Sequence, residues 1–450
     1  MRFSTCWYRA ALAAAVAACT EGHTPTTQPA QRTAFDRVSA SQEAADPGFA
    51  FLPPLAPEPA TSSALDGSLS PEVQVCVWSG PACLYPLVTD LPAVAVAGDH
   101  YAVNWQTAAS GLLAGRSYRI RVLVGADELG HLDVVAGASA ADLKDVDPAE
   151  AFALVIGRTV PIKFRIPQGA VSCDTIQMIA VNDFALPLKA GMVPTAPGGS
   201  TGLTFFQGTQ VMYAGGVLFG TSVADLLVGY DVDYGRSSFA HGPICADRHG
   251  AFFHTAATVA PDTAGAGPAG LKVTQESFAY ASAPDGGYVL LKYTFTNTGT
   301  TPIASFYSGW MADWDLYFDS GSKYPMATDR IRYDAALGLG EATEWDTLAY
   351  PAMVGIVPVG PSGTFAFHGF CNGCHKALTT TDYFAFLSGG INLRVPGGPS
   401  DVREMMGLAP LTISAGHSTV AYFALVGGAD RQAFEANVAA AEVKAAALGY

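Results

Sequence analysis

Apolar and polar residues alternate with a period of two in stretch after stretch of this chain, and that period admits little besides β-strands. In Tyr118-Arg119-Ile120-Arg121-Val122-Leu123-Val124, the residues Tyr118, Ile120, Val122 and Val124 fall on one face and both arginines on the other. Val73-Gln74-Val75-Cys76-Val77, Tyr101-Ala102-Val103-Asn104-Trp105 and Ile162-Lys163-Phe164-Arg165-Ile166 repeat the pattern. Farther on, Lys272 to Ala281, the turn Pro284-Asp285-Gly286-Gly287 and Tyr288 to Asn297 read as strand, turn and strand, with Val289, Leu291, Tyr293 and Phe295 on one face. A strand that is apolar on one face has to bury it against a second layer, so the pattern predicts sheets packed in pairs.

Composition agrees: 48 glycines and 29 prolines supply turns, while only 14% of the 450 residues are charged. The length allows more than one core. The expected fold is mainly β, with a small β-sandwich over 65–170 and a larger one over 171–450. Ile303 through Phe318 reads as a strand pair bent near Gly309. Val211 to Tyr230 is broken by Gly215, Gly216, Gly220, Asp225 and Gly229, which favours buried strands over a membrane span. At the C-terminus Asp430 is placed to begin a helix whose Phe434, Val438, Ala441 and Ala445 recur at helical spacing.

The N-terminus speaks to location. Arg2 and Arg9 precede a short apolar run, Ala10 to Ala18, which has the form of a secretory signal. It ends in Val16-Ala17-Ala18-Cys19, which resembles the lipobox of bacterial lipoproteins. The resemblance implies a signal peptide over 1–18, a diacylglyceryl anchor on Cys19 and, with Thr20 rather than an aspartate after the cysteine, residence at the outer membrane or cell surface. Residues 19–64, rich in Pro, Thr and Ala, read as a disordered tether. The net charge of −15 repels phosphate backbones and anionic headgroups, which excludes nucleic acid as a partner and leaves the lipid anchor as the membrane contact.

Two further resemblances concern fold. The stretches "HYAVNWQT", "YRIRVLVGADELGHLDV" and "GRTVPIKFRI" resemble an Ig-like module of exported bacterial proteins, which implies a small sandwich with Trp105 in its core. "LKYTFTNTGTTPIASFYSGWMADWDLYF" and "LTISAGHSTVAYFALVGG" resemble a larger sandwich module of bacterial surface and secreted proteins, and imply no activity.

Chemistry is spelled out once, in Cys371-Asn372-Gly373-Cys374-His375. Cys-x-x-Cys-His resembles the attachment site of c-type haem, which would bind Cys371 and Cys374 through thioethers and take His375 as axial ligand, with His368, Met405 or Met406 on the far side. No helices are expected around it from Thr379 to Gly390. In an oxidising compartment Cys76 pairs readily with Cys83, and Cys173 is free to pair with Cys245. Cys371 and Cys374 are then open to haem, to a local disulfide, or to a zinc set with Cys245 and His249.

Asp313 and Asp315 share a strand face opposite Trp314, and Asp319, Asp329 and Asp334 follow in an expected loop. Hard oxygen ligands so grouped suit calcium at Asp313, Asp315 and Asp319; alternatively they are strand-end carboxylates facing water. No Gly-x-Ser-x-Gly elbow, phosphate loop or His-Glu-x-x-His helix occurs, and His254 and His417 stand isolated as structural residues. The reading is a non-enzymatic envelope lipoprotein acting in adhesion, envelope organisation or the binding of a surface polysaccharide or protein. The alternatives are a monohaem electron carrier and an accessory domain of an extracellular hydrolase.

Overall fold

The computed structural model describes residues 49–59, 64–79, 83–96, 99–125, 127–180, 183–194, 203–205, 209–229, 237–240, 242–249, 252–281, 283–316, 329–344, 351–359, 364–371, 378–394 and 400–448. Strands dominate, and they form two pairs of sheets. The first pair has the alternating strands expected of it. Pro71–Trp78 and Ser117–Val124 lie side by side in a five-stranded sheet, with Cys83–Pro92 at one edge and Asp127–Gly137 then Phe152–Val155 toward the other. His100–Gln106 and Thr159–Arg165 are central in the four-stranded sheet facing it.

Tyr118, Ile120, Val122 and Val124 are buried on the inner face, while Arg119 reaches out to hold Asp133 through two hydrogen bonds, 2.6 and 2.8 Å, over the ring of Trp78. Trp105 is a core residue whose indole N–H donates to Ser110 Oγ at 2.8 Å. The unit begins earlier than the tether expectation allowed. Ala50–Phe51 pairs with Thr159–Arg165, and Phe49, Phe51 and Leu55 enter the core, because three large apolar side chains so close together gain more from burial than from hydration.

The larger unit is a nine-stranded antiparallel sheet packed on an eleven-stranded one. Leu271–Tyr280, Tyr288–Asn297, Ser418–Gly428 and Met353–Val359 are consecutive in the first; Thr209–Gly220, Ile303–Trp314, Val402–Leu408 and Thr364–Cys371 are consecutive in the second. Phe219, Tyr293, Phe295, Phe306 and Trp310 meet between them, and the Trp310 indole donates to the Tyr293 hydroxyl at 3.2 Å.

Ile303–Trp314 is one long strand rather than a bent pair. Its irregularity falls at Ser305, whose φ is +51°, where pairing with Leu411–Ile413 slips register. Gly309 serves a different end. A Cβ there would lie 2.6 Å from both Leu387 Cδ1 and the Met406 carbonyl oxygen, so the glycine lets a covering helix sit close.

Among the described residues, disulfides join Cys76 to Cys83 and Cys173 to Cys245. The closing helix, Arg431–Ala447, is capped by Asp430, which accepts from the Ala433 N–H at 2.9 Å, and it buries Phe434, Val438, Ala441 and Ala445 on the nine-stranded sheet. Arg431 ties its first turn to Glu341 and Asp334. Phe434→Ala is expected to cost about 3–5 kcal/mol in urea unfolding, and Asp430→Ala about 1 kcal/mol; equal costs for the two would contradict this packing.

Candidate functional site

A cluster of buried ionisable groups lies where Ile303–Trp314 runs beside Val402–Leu408. Register pairs Asp313 with Arg403, Ala312 with Glu404 and Trp314 with Val402. Alternation then sends Asp313 and Arg403 to the outer face of the eleven-stranded sheet, and Trp314 and Glu404 into the sandwich. Arg403 Nε stands 3.5 Å from Asp313 Oδ1. Just past the strand, Asp315 accepts from Gln210 Nε2 at 3.3 Å. Asp329 joins from the first residue of Asp329–Asp334: its backbone exchanges hydrogen bonds of 3.0 and 3.1 Å with Ser400, and its carboxylate faces the Leu316 N–H at 3.3 and 3.4 Å. Glu344 is its register partner.

These acids are buried, and burial decides their protonation. It lifts Asp313 well above the ordinary aspartate range, Arg403 opposing and Asp401 and Asp315 adding to the rise. Asp315 is pushed up to about 7 by burial and by Asp401, against the pull of Arg403. Asp329 is raised by burial and by the charges of Glu344 and Asp315. On the inner face Glu404 is wholly enclosed and is pushed up to about 8, although the Trp314 indole donates to its Oε2 at 2.7 Å. Room for that carboxyl comes from Gly340, where a Cβ would lie 2.3 Å from Glu404 Oε1. Raised proton affinity lowers the cost of placing several like charges away from water.

Asp313 and Asp315 therefore lie together as expected, but they are enclosed rather than facing water. Among the described residues no group of three His, Cys, Asp or Glu side chains is placed to hold a metal ion, and Asp319 lies outside the described residues. Asp334 is on a strand, not in a loop, and is drawn away by Arg431.

Cys371 ends the Thr364–Cys371 strand, is buried, and is disulfide-bonded; Cys374 and His375 lie outside the described residues. A sulfur in a disulfide is not available as a thioether. The segment after it does contain a helix, Thr380–Ser388, against expectation. Thr379 and Asp382 form a capping box there, a signal present in the sequence. His368 and Met405 are cross-strand partners under this helix, where the His368 ring stacks on Phe386 at 3.7 Å, and Met406 turns to the other side of the sheet, into the main core. Cys245 is bonded to Cys173, so the zinc set with His249 does not form.

Sequence reading missed two features. Arg403 and Glu404 interrupt an otherwise apolar strand, and that pair of charges inside "VREMMGL" was a usable signal. His254 is not isolated: its Nδ1 is 3.5 Å from Asp127 Oδ1 and its Nε2 3.4 Å from Glu276 Oε1. No local pattern announces a contact across such a sequence distance. His417 lies exposed in a turn, its Nδ1 2.9 Å from the Ala415 carbonyl oxygen.

No protein-family model matches the chain, and no curated protein matches it. Solved structures overlap it slightly. A putative aldose 1-epimerase from Escherichia coli K12 aligns at 9% identity and TM-score 0.32, over 57% of this chain and 99% of that one. A putative kojibiose phosphorylase from the human microbiome gives 9% and 0.30, over 67% and 31%. A polysaccharide lyase gives 11% and 0.21, over 43% and 23%. These scores are too low to carry a functional conclusion.

Because the folded protein holds the Glu404 proton more tightly than the unfolded chain does, this group supports the fold at low pH and that support is lost as pH rises through about 8. Glu404→Gln is expected to flatten the fall in Tm between about pH 4.5 and 8, where each kcal/mol is worth about 2–4 °C; an unchanged profile would show that folding does not raise the proton affinity of this acid. A haem stain after denaturing electrophoresis is expected to be blank, whereas a Soret band would show Cys371 to be alkylated.

Proposed function

We propose that this chain is an exported, lipid-anchored envelope protein that works by binding at the cell surface rather than by catalysis. The observation that carries this reading is the enclosure of its unusual acids. Asp313, Asp315, Asp329 and Glu404 are each at most 8% exposed, and Glu404 is at 0%. A general acid or base has to come within hydrogen-bond reach of the atom it serves, which enclosed carboxyls do not. Their raised proton affinity is accounted for by burial and by one another.

The remaining features suit a rigid surface module. Two disulfides cross-link the described strands, and the covalent bridges hold in an oxidising compartment. The residues before Phe49 supply a tether and, at Cys19, the attachment point. The partner class is a surface polysaccharide or protein met at the exposed loops and rims of the sandwiches, where recognition residues usually lie.

Cys19→Ser is expected to move the protein from the membrane to the soluble fraction and to abolish a diacylglyceryl mass increment on the N-terminal peptide. In parallel, the soluble chain is expected to be retained on envelope polysaccharide or on intact cells without releasing sugars or peptide termini. Product release above background, lost in Asp315→Asn, would replace the binding reading with a hydrolytic one.

A further inference from the structure

The chain passes from the small sandwich to the large one within a few residues. Beyond Thr159–Arg165, Pro167 is bridged to Leu65, and the Gln168 N–H donates to the Ala64 carbonyl oxygen at 2.8 Å. The Ala170 N–H donates back to the Pro167 carbonyl oxygen at 3.1 Å, closing a turn whose third residue, Gly169, has φ +79°. Val171–Asp174 then pairs antiparallel with Ile244–His249 as the terminal strand of the nine-stranded sheet. Residues 169–170 are thus the whole crossing between one attachment and the next.

A disulfide fixes this terminal strand. Cys173 and Cys245 are register partners and are bonded to each other, and the two halves of the bond differ in their surroundings. Cys245 is 1% exposed and packs into the core of the small sandwich, its sulfur 3.3 Å from where a Cβ on Gly125 would lie. Cys173 is exposed, whereas the other described cysteines, Cys76, Cys83 and Cys371, are buried as Cys245 is. Besides the disulfide, the strand has its short ladder, Val171 in the small core, and Gln177, whose Nε2 donates to the Ser172 and Ile244 carbonyl oxygens at 2.9 and 3.2 Å. A short strand at the end of a sheet is among the first elements to open, because few contacts hold it.

Thiol–disulfide exchange begins with a thiolate attacking the sulfur it can reach. We propose that Cys173–Cys245 is a reducible latch on the crossing between the two sandwiches, opened by a dithiol reductant that attacks at Cys173. The first thiolate bonds to the Cys173 sulfur, the bond to Cys245 breaks, and the Cys245 sulfur leaves as a thiolate that takes up a proton. The reductant's second thiol attacks the mixed disulfide, releasing Cys173 as a thiol and leaving the reductant as a disulfide. Two electrons and two protons have then passed to the protein. With the cross-link gone, the Asp174 end of the strand peels from Ile244–His249, and the next paired residue is Gln177 of Gln177–Ile179. The chain free between paired strands grows from 169–170 to 169–176, which gives the sandwiches a longer leash. Exchange with an oxidised dithiol reverses each step and closes the latch.

Dithiothreitol acting on the native full chain is the probe. Timed reduction, quenched with iodoacetamide and read by peptide mass spectrometry, is expected to label Cys173 and Cys245 about tenfold faster than Cys76 and Cys83. Hydrogen–deuterium exchange at that stage is expected to show Val171–Asp174 about tenfold less protected, with Leu271–Tyr280 and Tyr288–Asn297 unchanged. Cys173→Ser is expected to give the same exchange pattern without reductant, which assigns the change to this bond rather than to the one at Cys371. Reduction of Cys76–Cys83 as fast as Cys173–Cys245 would overturn the proposal, as would unchanged protection of Val171–Asp174. Loss of protection throughout the nine-stranded sheet would overturn it too, since the bond would then be a general cross-link. These outcomes are read on the wild-type chain and need no variant to fold.

Discussion

Everything in the larger unit leans on the contact between its two wide sheets. Phe219, Tyr293, Phe295, Phe306 and Trp310 fill the space between them, and a close-packed interior of this kind leaves little freedom for sliding one layer over the other. Burial of such side chains is non-directional, so it brings the layers together without choosing their register. Register comes from the long antiparallel ladders, such as Tyr288–Asn297 against Ser418–Gly428, and from polar pins within the core such as the bond between Trp310 and Tyr293. The closing helix is positioned in the same way: Phe434, Val438, Ala441 and Ala445 supply the burial, and Asp430 and Arg431 the direction.

That dry interior has consequences for charge. Where polar residues are carried inward by alternation, each finds either a counter-charge or a proton. Glu276 takes the first course, with Lys292 and His254 beside it, and stays ionised. Glu404 takes the second, with an indole donor on one oxygen and a raised affinity for its proton. The acids around Arg403 combine both, because a single guanidinium does not neutralise them all. A perturbed carboxyl often marks an active site; here burial and neighbouring charges account for the perturbation. Ionic contacts also lie where the small and large sandwiches meet, between Asp127 and His254.

Much of the fold was legible because it rests on local pattern. The alternation in Tyr118–Val124 and Tyr288–Asn297, the turn at Pro284–Gly287 and the helix after Asp430 each follow from spacing that holds whatever the rest of the chain does. The misreadings came where local pattern was weak or overridden. A bend was expected at Gly309 because glycine often marks one, yet the strand runs through and the glycine answers the approach of Leu387. The Thr379–Asp382 capping box is a local signal for the Thr380–Ser388 helix, but the helix is only nine residues long and its pattern is correspondingly weak.

Taken alone, the sequence determined that this chain is mainly β, that its strands pack in pairs of sheets and that a helix closes it, because periodicity and caps act over a few residues. Only the tertiary structure decided that Asp313 and Asp315 are enclosed, that Cys371 is disulfide-bonded, and that His254 spans two acids from different sandwiches. The reason is physical. Dielectric environment, proton affinity and long-range pairing depend on which distant strands are brought alongside, and that is settled by the packing of whole sheets rather than by any short run of residues.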